Sequence, residues 1–235
     1  MSGADGVRRI ALDRPERRNA VDPATATALH RAILDARDDP ACSVIVLAGN
    51  GPVFCAGWDL DSLGPLVASG EDAVRAAFAD TRALLEDLVA VPQATVAEVR
   101  GGVLGFGIGL LGACDLAVAS ETTMVALPEI AHGIVPGMVM LDLLGRVPEK
   151  LALDWLLTGE RRSAADALAA GLVSRVVPDE ELEGVVAALA ERVASHDPAV
   201  LRATKRAYRE LAALPRERAT EAAIDGAVRA LLGRP

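Results

Sequence analysis

The chain has 235 residues, a formal net charge of -9 and 51% hydrophobic residues, mostly Ala, Val and Leu. That length and composition describe a folded globular protein with one good core and room for a small appended unit, and argue against a disordered chain. The acidic balance argues against a nucleic-acid-binding surface, since neutralising phosphates is the main source of that affinity, although a few local arginines can still hold one anionic ligand.

Cys42, Cys55 and Cys114 are odd in number and form no C-x-x-C pair. A reducing compartment follows, with no disulfide framework and no zinc or other metal site. The opening MSGADGVRRI lacks the apolar core of a signal peptide, and no apolar run of 18 residues occurs. The sequence therefore reads as soluble and cytoplasmic, with no membrane and no nucleic-acid partner.

Residues 7–12, VRRIAL, read as a first strand. Pro15 stops it, Asn19 can hold a turn, and Asp22 before Pro23 is a plausible N-cap for a helix over 24–37. In the loop between them, Arg17 and Arg18 are either a solvated charge pair or a grip on a phosphate. Residues 43–49, SVIVLAG, form a continuous apolar run of the buried-strand type.

Beyond the turn Asn50-Gly51-Pro52, the small residues Cys55-Ala56-Gly57 form a tight corner that leads to a helix start near Trp58 to Leu60. Residues 61–75 mix Gly, Pro and Ser with charges and read as a mobile loop, which in an enzyme could serve as a lid. Apolar residues at helical spacing over 72–90 predict a helix, ended by Pro92.

The stretch VRGGVLGFGIGLLGACD (99–115) organises the rest. It holds six glycines and ends in a Cys-Asp pair that reads as buried. It follows the strand-like ATVAEV, and Phe106 to Ala113 reads as two helical turns, so this is a second strand–turn–helix corner, with Gly105 in its turn. A helix start offers unpaired N–H groups that suit a developing negative charge. Two such corners, if they face each other, bring two backbone N–H groups onto one oxygen; otherwise each is only a tight connection.

LAVAS (116–120) and MVAL (124–127) are short strands. Glu129 follows between apolar neighbours, an environment that raises a carboxyl pKa and suits proton transfer, unless the side chain caps a helix or forms a salt bridge. His132, three residues on, faces the same pocket if a helical turn forms there; otherwise it is a packed or surface histidine. Residues 138–170 read as two or three helices, GLVSRVVP as a last strand, and 179–235 as helices punctuated at Asp197-Pro198 and Pro215. On this tail Lys205 and Arg206 read as a solvated basic face. The alternation defines an α/β class.

Gly107, Gly109 and Gly112 satisfy the dinucleotide pattern G-x-G-x-x-G, but its glycines belong in the turn directly after the strand, which here is filled by Gly101, Gly102 and Gly105. A nicotinamide or flavin site is therefore rejected.

A different set of motifs uses three segments at once. VIVLAGNGPVFCAGWDL resembles an apolar strand followed by F-C-A-G-x-D-L; VRGGVLGFGIGLLGACDLAVAS resembles G-x-x-x-G-x-G ahead of a C-D pair; LPEIAHGIVPG resembles P-E-x-x-x-G-x-x-P-G, with LTGERRSAADALAAGLVSRVVP after it. Together, over roughly Arg8 to Pro178, they resemble the enoyl-CoA hydratase/isomerase, or crotonase, superfamily.

The resemblance implies a spiral of β-β-α turns (residues 1–178) carrying an acyl-CoA site, and a helical C-terminal region (179–235) that assembles a homotrimer or a pair of trimers. It implies an acyl-CoA thioester substrate, with coenzyme A as part of that substrate and no other cofactor. The two enolate-stabilising N–H groups fall on Trp58 and Phe106, whose rings could shorten the acyl pocket, and the acid/base falls on Glu129. Ala56, Gly57, Leu60, Gly105 and His132 are expected to line the substrate site. Arg17 and Arg18 match the loop placed near the adenosine and phosphates of CoA, and either could make the contact.

The family's hydratases carry two glutamates; the second matches Glu129, but the first falls on Gly109, which cannot transfer a proton. The resemblance therefore implies isomerisation of 3-enoyl-CoA to 2-enoyl-CoA slightly ahead of hydration. The alternatives are a catalytically inactive CoA-binding relative and a family hydrolase or decarboxylase using His132 or a lid residue. The final segment, IDGAVRALLGRP, is shorter than the family's usual ending.

Overall fold

The computed structural model describes residues 6–231; readings made on the opening MSGAD and the closing LGRP lie outside the described residues. Strand β1 (Val7–Leu12) leads through a 3₁₀ turn, Pro15–Arg17, into helix α1 (Pro23–Asp38). Asp22 caps that helix, its carboxylate accepting the Thr25 N–H at 2.7 Å, and Pro23 takes the first position, where its missing N–H is harmless. Strand β2 (Val44–Gly49) follows, then helices α2 (Leu60–Ala68) and α3 (Glu71–Ala90).

Strands β3 (Ala94–Val99) and β4 (Gly102–Leu104) precede helix α4 (Phe106–Ala113), and strands β5 (Leu116–Ser120) and β6 (Met124–Ala126) follow it. After a 3₁₀ turn, Pro128–His132, come helices α5 (Gly137–Leu143) and α6 (Glu149–Thr158), strand β7 (Arg162–Ser163), helix α7 (Ala164–Ala169) and strand β8 (Arg175–Val177). Helices α8 (Leu182–Ala194), α9 (Pro198–Ala212) and α10 (Arg216–Leu231) complete the described chain.

Five strands form a parallel sheet in the order β1-β2-β3-β5-β8, and β4, β6 and β7 form a second, smaller sheet. Both faces of the larger sheet are covered, which explains why SVIVLAG reads as an unbroken apolar run. Side chains alternate along β2: Ile45 and Leu47 enter the larger core, which also holds α1, α3 and α4, while Val44 and Val46 face Leu182 and Val186 of α8. The small sheet, through β4, positions the corners described below.

Three readings are corrected. Residues 61–75 are mainly helix rather than a mobile loop: α2 runs through Pro65, capped by Asp59, whose side chain accepts the Asp61 N–H at 3.2 Å. Leu60, Leu63 and Val67 recur at helical spacing and outweigh the Gly and Pro content. Lys205 is not solvated. Its side chain is 13% exposed and its ammonium lies 2.7 Å from Asp115, which also receives Arg209 at 2.7 Å, so this pair docks α9 on the ends of β3 and β5. Arg206 does stay in solvent. In the Cys-Asp pair, Cys114 is buried but the Asp115 carboxylate reaches outward to these cations.

Candidate active site

The first corner is built by Cys55, Ala56, Gly57 and Trp58. Val21 pairs with Trp58 in a parallel bridge: it donates to the Gly57 carbonyl at 2.8 Å and accepts the Asp59 N–H at 2.8 Å. Strand geometry then turns the N–H of the intervening Trp58 to the opposite side. Gly57 has φ +90, and a Cβ there would stand 2.9 Å from the Leu104 carbonyl oxygen.

The second corner is Gly105 and Phe106. The Gly105 N–H donates to the Ala126 carbonyl at 3.1 Å, and Phe106 opens α4, so its N–H has no acceptor within the helix. Among the described residues, neither the Trp58 nor the Phe106 amide has a hydrogen-bond acceptor. A bridge between Cys55 and Val103 ties the corners together, with Cys55 N–H on the Gly102 carbonyl at 3.2 Å and Leu104 N–H on the Cys55 carbonyl at 2.9 Å. The Trp58 and Phe106 rings meet edge to face, centroids 6.3 Å apart.

Glu129 completes the group. It sits on the 3₁₀ turn after β6, whose Pro128 fixes the chain's entry, and the end of α6 packs beneath it: a Cβ on Gly159 would lie 3.1 Å from Ile130. Among the described residues the Glu129 carboxylate neither caps a helix nor forms a salt bridge. Its Oε1 lies beside Gly105, 2.5 Å from where a Cβ would be, and its buried Oε2 has no partner among the described residues. Burial raises its pKa above the ordinary value, opposed weakly by hydrogen bonding to its own backbone and by His132.

Trp58, Phe106 and Glu129 open onto one cavity of about 420 Å³, and Ala56, Gly57, Leu60, Gly105 and His132 line it with them. His132 is exposed at the rim rather than packed. The remaining wall comes from Pro128 and the segment 134–137 of the LPEIAHGIVPG motif, and from Leu63, Phe78 and Thr81 of α2 and α3 and Met138 and Val139 of α5, these last five not singled out as site residues by sequence reasoning. Their signal was present only as helical spacing, which marks any buried helix face. A larger groove of about 650 Å³ runs between β1 and α8, but its Arg9 is paired with Glu98 and it lies away from both corners. Among the described residues no group of three His, Cys, Asp or Glu side chains is placed to hold a metal ion.

Arg17 and Arg18 lie outside the cavity and differ in their commitments. Arg17 is held by Asp59 at 2.8 Å and by Asp61, and those carboxylates raise its pKa. Asp59 is 5% exposed and also takes Arg14 at 3.2 Å, so Arg17 serves to anchor the first corner. Arg18 is exposed, has a left-handed backbone (φ 53), and its carbonyl accepts the Ala56 N–H at 3.0 Å, placing it directly beside the first corner. Among the described residues its guanidinium forms no ion pair.

An α/β fold in which two corners with unpartnered amides and a partly buried carboxyl line one cavity presents groups of the kind that can stabilise an oxyanion while a proton moves. The comparisons agree with that class. The chain belongs to the enoyl-CoA hydratase/isomerase family, whose model matches residues 2–228. It is 37% identical over 191 residues to the mitochondrial enoyl-CoA hydratase domain-containing protein 3 of Rattus norvegicus, covering 81% of this chain but 63% of the rat protein. It is 35% identical over 212 residues to a carnitinyl-CoA dehydratase of Salmonella paratyphi A, covering 88% of this chain and 78% of that one. The crystal structure of human enoyl coenzyme A hydratase domain-containing protein 3 superposes with a TM-score of 0.89 at 30% identity, over 99% of this chain and 96% of that one. Among the described residues no helix is long and apolar enough to cross a membrane.

Proposed function

We propose that this chain binds acyl-CoA thioesters and moves a proton at the carbon beside the thioester carbonyl, with isomerisation of 3-enoyl-CoA to 2-enoyl-CoA as the reaction Glu129 runs alone. The observation that carries this reading is the shared cavity of one unpaired carboxyl and two free amides. The Trp58 and Phe106 N–H groups hold the thioester oxygen as it becomes anionic; removing one such donor costs about 2.7–4 kcal/mol of transition-state stabilisation in enzymes of this kind. Glu129 takes a proton from Cα, the double bond shifts into conjugation, and the same carboxyl returns the proton to Cγ.

Coenzyme A enters as part of the substrate, and Arg18 rather than Arg17 holds its phosphates, because Arg17 is already committed to two carboxylates. The Trp58 and Phe106 rings narrow the acyl end of the cavity. The working compartment is the cytoplasm. A trimeric assembly, single or paired, is supported by apolar side chains left in solvent on α5, α6 and α10, including Leu141 (55% exposed), Leu157 (67%) and Ile224 (60%).

Hydration of 2-enoyl-CoA is the second reading, favoured by the dehydratase name of the Salmonella relative. The test supplies 3-enoyl-CoA and 2-enoyl-CoA separately and identifies the products by chromatography. Conversion of the 3-enoyl substrate supports the leading reading; failure to turn over either substrate refutes both.

A further inference from the structure

The first corner is carried on a short rail of backbone. Ala56 donates its N–H to the Arg18 carbonyl at 3.0 Å, the Gly57 carbonyl accepts the Val21 N–H at 2.8 Å, and Asp59 donates to the Val21 carbonyl at 2.8 Å. The peptide groups on either side of the Trp58 N–H are therefore tied to residues 18–21. The Trp58 N–H takes the direction that those ties leave to it.

The rail has an unusual backbone. Arg18 and Asn19 have φ 53 and φ 55, and they are the two non-glycine residues with positive φ among the described residues. Asparagine tolerates that conformation, but two such residues in succession persist only where their surroundings hold them. The Asn19 side chain supplies the hold. It is 1% exposed; its Oδ1 accepts the Arg14 N–H at 2.9 Å, and its Nδ2 donates to the carbonyls of Asn50 at 3.0 Å and Val53 at 2.6 Å. These partners fix the orientation of the amide, since only its NH₂ group can face two carbonyls.

Closing the turn does not need those two donors, because Arg18 N–H on the Pro15 carbonyl at 3.0 Å and Asn19 N–H on the Arg14 carbonyl at 2.9 Å already close it. The side-chain NH₂ instead reaches residues 31 and 34 positions away. Val53 begins the segment that runs through Phe54 and Cys55 into the corner, so one amide ties the rail to the chain that it carries. The fit is close: a Cβ on Gly49 would stand 2.7 Å from Asn19 Nδ2.

We propose that Asn19 is a positioning residue of the oxyanion site, acting through residues 18–21 to fix the direction of the Trp58 N–H. The inference rests on the acyl-CoA reading above. Without the side chain the rail relaxes from its left-handed turn and the Trp58 amide moves with it. Phe106 and Glu129 are set by β4, β6 and the turn after β6, and stay in place. A misplacement on the order of 1 Å lowers the rate about 10²-fold.

The experiment uses the full chain and two variants. Asn19→Gly accepts the left-handed backbone without the side chain, and Asn19→Asp keeps the acceptor for Arg14 but turns an oxygen toward the two carbonyls. The probe is butanoyl-CoA, isotope-labelled at the thioester carbonyl and without a double bond to shift. Difference infrared spectroscopy reads the carbonyl stretch of the bound molecule alone, whatever fraction of the protein binds it. In the wild type the two N–H donors lower that stretch. Both variants lower it less. On the enoyl-CoA that the wild type converts, their kcat per binding site, counted by calorimetry with CoA, falls about 10²-fold with KM nearly unchanged.

Variants that bind butanoyl-CoA with the wild-type stretch, losing rate only in proportion to lost binding sites, assign Asn19 to stability and overturn the proposal, as does failure of both variants to fold. A wild type that binds butanoyl-CoA without lowering its carbonyl stretch overturns the enolate reading itself.

Discussion

Glu129 rests its carboxylate against the bare α-carbon of Gly105, whose missing Cβ would lie 2.5 Å from Oε1. The same glycine carries φ +48 and precedes the free amide of Phe106, so one residue sets both the proposed acid/base and one proposed N–H donor. Gly105→Ala is therefore expected to displace Glu129, and a shift on the order of 1 Å in a catalytic group lowers turnover about 10²-fold. Steady-state kinetics on the substrate that the wild type converts will show the loss in kcat; an alanine variant with wild-type kcat would mean that this contact does not govern the chemistry.

Burial with an unpartnered Oε2 raises the Glu129 pKa above its ordinary value of 4.5. As a base it must be ionised, so isomerisation is expected to rise with pH through a midpoint above that value, and Glu129→Gln is expected to lose about 10²–10⁴ in rate. Stability follows the opposite direction. Between the unfolded and the raised folded pKa the folded state binds more protons, so the carboxyl favours folding at low pH and that contribution is lost as pH rises through the folded pKa. The melting temperature of Glu129→Gln minus that of the wild type is expected to grow with pH across this window; a constant difference would show that burial does not perturb the group.

The two neighbouring arginines are expected to behave differently. Arg18→Ala raises KM for the acyl-CoA with kcat nearly unchanged, and the effect shrinks at high salt, because the lost interaction is an exposed charge contact. Arg17→Ala removes a partner of the buried Asp59 and is expected to lower the denaturant midpoint, read by chemical unfolding. Reversed behaviour would reassign the phosphate contact to Arg17.

Asp115 neutralises Lys205, and burial lowers the pKa of that lysine. Asp115→Asn leaves an ammonium that is 13% exposed beside Arg209 with no carboxylate between them. We expect a loss of about 2 kcal/mol, below the 3–5 kcal/mol of a fully buried pair because both partners keep some solvent. Amide hydrogen exchange is expected to quicken first in α9, and uniform exchange across the chain would show that the pair does not dock this helix.

Much of this protein was legible in one dimension. Local pattern alone placed β1, the cap at Asp22, β2, the limits of α4 at Phe106 and Ala113, and the breaks at Pro198 and Pro215, because each depends on residues within a few positions of one another. Both glycine corners and Glu129 were also readable, since a backbone that must turn tightly and approach another chain segment has to be built from small residues.

Contacts across long separations were not readable. The strands β4 and β7, three and two residues long, exist only because β6 lies between them, and α2 was obscured by a composition typical of loops. Lys205 and Asp115 are 90 positions apart in the chain, so nothing local marks Lys205 as buried. Asp142 is the clearest case: a single acid in the apolar run MVMLDLL carries no hint that its carboxylate will fill the space above a glycine 33 positions earlier. The sequence by itself determined the backbone of the site, because tight turns and exposed amides depend on local sterics. The tertiary structure decided which charges stay free to act, because ion pairing and desolvation depend on neighbours that only folding brings together.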